Sequence, residues 1–136
     1  MVFLSVAAPA AWGCSVSTSG VDFGIYQVFD NTALHTSGTL TVDCNQAYEI
    51  RLDAGSTSTT FLPRQMANFE DARLDYNLFI NASHTTIWGD GANATTTVSS
   101  EGSGIPEHHT VYGRIPAGQN VRGGSYGDTI VVTVEY

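Results

Sequence analysis

The last stretch of the chain, Gly127 to Tyr136, reads G-D-T-I-V-V-T-V-E-Y. In an extended backbone Ile130, Val132, Val134 and Tyr136 fall on one side, and Thr129, Val131, Thr133 and Glu135 on the other. Period-two alternation in β-branched residues is the pattern of a strand with one face in a core. No turn signal and no further strand follow it in the sequence. A long apolar strand at a sheet edge is a template for another chain unless something covers it. The expectation is an open edge, with the apolar residues lining or bordering a groove that a second polypeptide fills. The plainer alternative is the ordinary last strand of a complete sandwich.

Working outward, the same alternation recurs in short runs. Cys14 to Thr18 suits a first strand, and Phe23 and Tyr26 suit core or corner positions around Gly24. Gly38 to Cys44 places Leu40, Val42 and Cys44 on one face, and Tyr48, Ile50 and Leu52 alternate with Glu49, Arg51 and Asp53. Asn45-Gln46 between them reads as a hairpin turn. Phe61 to Met66 reads as an edge strand because of Pro63. Leu74 to Ile80, Thr95 to Ser99 and His109 to Ile115 complete the set, separated by Gly-, Ser- and Pro-rich turns. Short strands at near-regular spacing, with no linker and no repeat, predict one all-β domain, a sandwich of immunoglobulin type.

Composition narrows the function. The chain has 136 residues, enough for one core, and charged residues make up only 13%. Thirteen acidic residues oppose five basic ones, all arginine, for a net charge of -8. So few cations do not neutralise a phosphate backbone, which argues against a nucleic-acid partner. Two cysteines, Cys14 and Cys44, are read as one disulfide in an exported protein, with free thiols as the alternative in a reducing compartment. Residues 1–13, M-V-F-L-S-V-A-A-P-A-A-W-G, are apolar and end in small residues, so they read as a signal-peptide remnant without its basic start. The domain proper is then 14–136. Residues 1–13 are too short for a transmembrane helix, and nothing else in the sequence would span a bilayer.

Chemistry-bearing patterns are sparse. Asp71, Asp75 and Asp90 read as solvated acids rather than an acid–base pair. His108 and His109, with His84 and Glu101, are a poor metal set, because neighbours in a strand point to opposite faces. No Gly-x-Ser-x-Gly elbow is present, and the Gly118–Gly127 stretch lacks the Gly-Lys-Ser/Thr ending of a phosphate loop. Asn81-Ala82-Ser83 and Asn93-Ala94-Thr95 match a glycosylation sequon that arises often in Ser/Thr-rich chains. Trp88, Asp90 and Tyr112 are the candidate ligand surface, for sugar stacking, with core or turn packing as the competing role of each ring. No enzyme, cofactor or metal is expected.

Taken together, the spaced residues resemble the spore coat protein U domain family. The set comprises Cys14, Phe23-Gly24-x-Tyr26, Gly38-x-Leu40-x-Val42-x-Cys44, Tyr48-x-Ile50-x-Leu52-x-x-Gly55, Arg64-x-Met66 and Leu74-x-Tyr76-x-Leu78-Phe79. It continues through Trp88-Gly89-Asp90-Gly91, Val111-Tyr112-Gly113-Arg114-Ile115-Pro116-Ala117-Gly118-Gln119 and Gly124-x-Tyr126-x-Asp128-Thr129-Ile130-x-Val132-Thr133-Val134-x-Tyr136. The resemblance implies an incomplete, pilin-type immunoglobulin-like sandwich lacking its final strand. It implies a subunit of an archaic chaperone–usher pilus, exported through the periplasm to the cell surface and used in adhesion and biofilm formation. Its partners would be a periplasmic chaperone, an outer-membrane usher and neighbouring subunits. A chaperone would lend the missing strand and a neighbour's N-terminal extension would replace it, the β-augmentation for which pilins are a standing example. Ile130, Val132, Val134 and Tyr136 would line or border the groove, with Leu40, Val42, Tyr48 and Ile50 as the opposing core. One departure stands out. Ala7 to Ala11 with Pro9 makes a poor donor strand, so the chain is expected to accept a strand rather than give one. The alternatives are a spore or cyst coat protein of the same fold and a secreted carbohydrate-binding module.

Overall fold

Alternation decides which residues of each strand turn inward, and the inward sets of two sheets meet in one core. The computed structural model describes residues 2–6, 14–27 and 32–136. Among them nine strands form: β1 Val2–Val6, β2 Cys14–Thr18, β3 Leu34–Cys44, β4 Tyr48–Leu52, β5 Arg64–Ala67, β6 Arg73–Phe79, β7 Val98–Ser100, β8 Glu107–Ile115 and β9 Asp128–Glu135. The described residues include no helix, hence none long and apolar enough to cross a membrane. One sheet has the order β1-β9-β4-β7 and the other β2-β3-β8-β6-β5. Leu40 and Val42 of β3, Val111 of β8 and Leu74 and Leu78 of β6 face Ile50 and Leu52 of β4 and Ile130, Val132 and Val134 of β9, all fully buried. This is the two-sheet sandwich that the alternation predicts.

The segment after β2 crosses to the edge of the other sheet at Val21, although β3, which follows, lies beside β2 in one sheet. Val21 bridges to Val2 and Tyr26 bridges to Gly124. Phe23 and Tyr26 are buried, as expected. The crossing is admitted by missing side chains on the two central strands. A Cβ on Gly113 would lie 2.6 Å from Phe23 Cζ, and one on Gly38 would lie 2.0 Å from the Gly20 carbonyl oxygen. The Cys14–Cys44 disulfide joins β2 to β3, where the two residues are register partners.

Three expectations need correction. First, Gly38–Cys44 and Tyr48–Leu52 do not form a hairpin: β3 and β4 lie in different sheets. Alternation places both apolar faces in the same core, and that core lies between the sheets, so the Asn45–Ala47 connection crosses it instead of folding back. Tyr48 and Ile50 are therefore neighbours of β9 within one sheet, and only Leu40 and Val42 oppose it. Second, a strand precedes Cys14. Residues 2–6, within the stretch read as a leader, form β1; Ala7–Ala11, judged a poor donor, lies outside the described residues. Third, the edge of β9 is not open in this chain. β1 pairs with it in parallel, from Val2 opposite Asp128 to Val6 opposite Val132.

Candidate strand-acceptor site

The site is a slot between β9 and the crossing segment at Val21. Its floor is the inward face of β9, where Ile130, Val132 and Val134 are all 0% exposed. Val2 and Leu4 of β1 are buried in the slot, while Phe3 is 58% exposed. On the far side of β1, the Val2 N–H donates to the Val21 carbonyl at 2.7 Å and the Val21 N–H donates to the Val2 carbonyl at 3.0 Å. β1 is thus held along one margin by β9 and at Val2 on the other by Val21, with two aliphatic side chains between the sheets. An alternating apolar strand suits this slot, because one face reaches the core and the backbone pairs on both sides. Among the described residues, parallel pairing with β9 runs as far as Val132. Tyr136, named with the other three from the sequence, lies beyond β9. It is part-buried and borders an open depression of about 460 Å³ with Tyr48, Glu49 and Ser100, away from β1.

The start of β9 is pinned by a buried carboxylate. Asp128 is 5% exposed. Its Oδ1 accepts the backbone N–H groups of Ser56 (3.2 Å), Thr57 (3.1 Å) and Thr129 (2.9 Å), and the Thr57 hydroxyl (3.0 Å). Its Oδ2 accepts the Tyr76 hydroxyl at 2.5 Å. Burial, then the neighbouring carboxylate, raises the Tyr76 phenol well above its ordinary value, so that hydroxyl stays a donor. Gly55, at φ +93°, leaves room for this arrangement, since a Cβ there would lie 2.3 Å from Asp128 Oδ2. A second buried polar centre is Arg64, 0% exposed. It donates to the Asp53 carbonyl (2.7 Å from Nη2), the Trp88 carbonyl (2.7 Å) and Asn77 Oδ1 (3.0 Å), and its guanidinium lies 5.1 Å from the Phe61 ring centroid. Burial pushes this guanidinium down to about 10. Arg64 thereby ties β5, β6 and the loops after β4 and before β7 into one body.

The carbohydrate-surface candidates do not come together. Trp88 is 1% exposed and its Nε1–H donates to the Ile50 carbonyl at 3.1 Å. A ring enclosed in the core offers no face to a sugar, so Trp88 belongs to the packing role. Asp90 is exposed and borders a depression of about 310 Å³ with Arg51, Asp53, Phe61 and Glu135. Tyr112 lies on the outward face of β8, its ring 6.2 Å from that of His84. His108 and His109 take opposite faces of β8, as strand geometry requires: His108 meets the Thr41 hydroxyl and His109 meets Tyr48. Among the described residues no group of three or more His, Cys, Asp or Glu is placed to hold a metal ion.

Comparison with known proteins places the chain. The Spore Coat Protein U domain matches residues 2–133. The chain belongs to that family. A curated relative, Protein U of Myxococcus xanthus, is 31% identical over 150 aligned positions, covering 98% of this chain and 83% of the relative. Among solved structures, a chain in the CsuC–CsuE chaperone–tip adhesion subunit pre-assembly complex, from the archaic chaperone–usher Csu pili of Acinetobacter baumannii, superposes with a TM-score of 0.64 at 22% identity. That likeness covers 90% of this chain and 39% of the solved one, so it concerns the fold of a part. The Spore Coat Protein U domain match takes in β1 as well as the body that starts at Cys14.

Two features of this Spore Coat Protein U domain escaped the sequence reading. Asp128 and Arg64 are polar residues at inward positions of alternating strands, two before Ile130 and two before Met66. That phase was the available signal for burial with full hydrogen bonding. β1 was hidden by its own composition, since Val2, Leu4 and Val6 alternate with Phe3 and Ser5 inside a stretch that also reads as a leader.

Proposed function

We propose that this chain is an exported structural subunit of an archaic chaperone–usher pilus, completed by a strand from another polypeptide. A periplasmic chaperone would fill the slot beside β9 during export. An outer-membrane usher would then pass the subunit to the fibre, where a neighbouring subunit supplies the strand. The fibre's role would be surface adhesion and biofilm formation. The observation that carries this reading is the slot itself. β9 presents three fully buried aliphatic residues to a place filled by a short strand from outside the body that begins at Cys14. Emptying that place exposes apolar surface worth roughly 25 cal/mol per Å² and unpairs an edge, so an occupant is required. Ile130, Val132 and Val134 are the contact residues of the reading; it has no catalytic step.

The test is co-expression of the exported chain with a periplasmic chaperone of the same gene cluster. A one-to-one complex, with fibres at the cell surface that disappear on Val132→Asp, is the expected result. An exported chain that starts at Cys14, stays monomeric, binds no chaperone and melts like the full chain would refute it. A second reading, a coat protein of the same fold, is favoured by the family's own description, Spore Coat Protein U domain. Immunolabelling confined to spores or cysts would select it.

A further inference from the structure

We infer that residues 2–6 are an intramolecular plug: while they remain attached, the chain closes its own acceptor slot, and a strand from any partner enters by displacing them. The inference rests on the strand-acceptor reading above and adds how the site is held shut. Three observations carry it. β1 pairs with β9 in register along its whole length and is bridged to Val21 at Val2. Its inward residues are aliphatic, Val2 at 0% and Leu4 at 7% exposure, and its outward residues Phe3 and Ser5 are exposed. Among the described residues, β1 covers β9 from Asp128 to Val132, while β9 runs on to Glu135. A competing strand that also pairs with Thr133 to Glu135 would gain contacts that β1 does not make. A plug tethered through residues 7–13 has a high effective concentration, which keeps the slot filled when no partner is near. Cleavage anywhere between Val6 and Cys14 removes that tether and converts closure from intramolecular to bimolecular.

The register supplies the test. Ser5 and Val131 are Cα partners on the outward side. The full chain, made without export so that residues 1–13 are retained, is prepared as Ser5→Cys/Val131→Cys and oxidised alongside the native Cys14–Cys44 bond. The expected product is a monomer with a 5–131 disulfide, formed independently of protein concentration; Ser5→Cys/Glu135→Cys, off register, should not form one. A 5–131 bond between chains would overturn the plug while leaving strand acceptance intact. Absence of the bond where Cys14–Cys44 forms would overturn it outright. A labelled peptide of residues 1–8 then reads displacement. Leu4→Asp, which loosens the plug and leaves β9 untouched, should capture the peptide at least ten-fold faster than the unmodified chain, and the oxidised lock should not capture it. Equal capture by locked and unlocked chains would overturn the plug. Failure of every unlocked form to capture peptide, with the lock formed in cis, would overturn displacement and sink the strand-acceptor reading with it.

Discussion

At the scale of single residues, the body around the slot is held by polar groups that have no freedom to be wrong. Arg64 is buried without a carboxylate within ion-pair distance among the described contacts; backbone carbonyls and Asn77 take its protons instead. Asp128 is its counterpart, a buried acceptor surrounded by donors. Tyr48 offers the most direct pH reading. Its hydroxyl donates to Glu107 at 2.9 Å and lies 2.8 Å from His109 Nε2. Burial, then the bond to Glu107, raises this phenol from its ordinary 10 to about 12. A raised phenol means that the folded state holds its proton longer than the unfolded chain. The stabilisation is therefore complete below the unfolded value and is lost as pH climbs through the folded one. Urea midpoints should fall between pH 10 and 12, and Tyr48→Phe should lose less over that window while starting lower at pH 8 by about 1–2 kcal/mol for the missing bond. Equal slopes for the two proteins would show that Tyr48 does not carry the change.

At the scale of elements, the two sheets are secured differently. The sheet containing β2 has a covalent tie, Cys14–Cys44, closing a loop with a sequence separation of 30. The chain-entropy treatment gives a loop of that size about 3–4 kcal/mol. Cys14→Ser/Cys44→Ser should lose that much in denaturant titration, and a loss under about 1 kcal/mol would mean that β2 is held by its ladder alone. The sheet containing β9 has no such tie at its β1 edge. Burying Val2 and Leu4 contributes about 1.5–3 kcal/mol each, and fixing the five-residue backbone of β1 costs about 1–2 kcal/mol per residue. The backbone cost, about 5–10 kcal/mol over the strand, exceeds the roughly 3–6 kcal/mol from burial, and the edge bonds, at about 0.5–1.5 kcal/mol each, offset the difference.

What was legible in the sequence follows from this difference between elements. β3, β4, β6, β8 and β9 announce themselves, because each is long enough to repeat its alternation and each turns that face into one core. Sheet membership was not legible. Nothing local to Asn45–Ala47 distinguishes a hairpin turn from a step between sheets, since both place the same residues inward. The buried face of β9, Ile130 to Val134, was readable from phase. Its occupant was not, because an apolar alternating pentapeptide near a chain start satisfies the leader pattern and the strand pattern equally. Trp88 shows the reverse error: an aromatic beside Gly89 and Asp90 looks like a turn on the surface, yet its ring packs inward against β4.

At the scale of the whole molecule, a Spore Coat Protein U domain with a filled slot is a finished sandwich, and the same domain with the slot emptied is one strand short. On the proposed reading, folding, export and assembly become one question, namely which polypeptide supplies the strand. The direct measurement is to insert a specific protease site between Val6 and Cys14, cut the folded chain, and record its melting temperature against added peptide of residues 1–8. If the slot must be filled from elsewhere, the cut protein should melt lower on dilution and recover with peptide, saturating at one peptide per chain. A cut protein that sheds residues 1–6, keeps its original melting temperature and ignores the peptide would contradict the account.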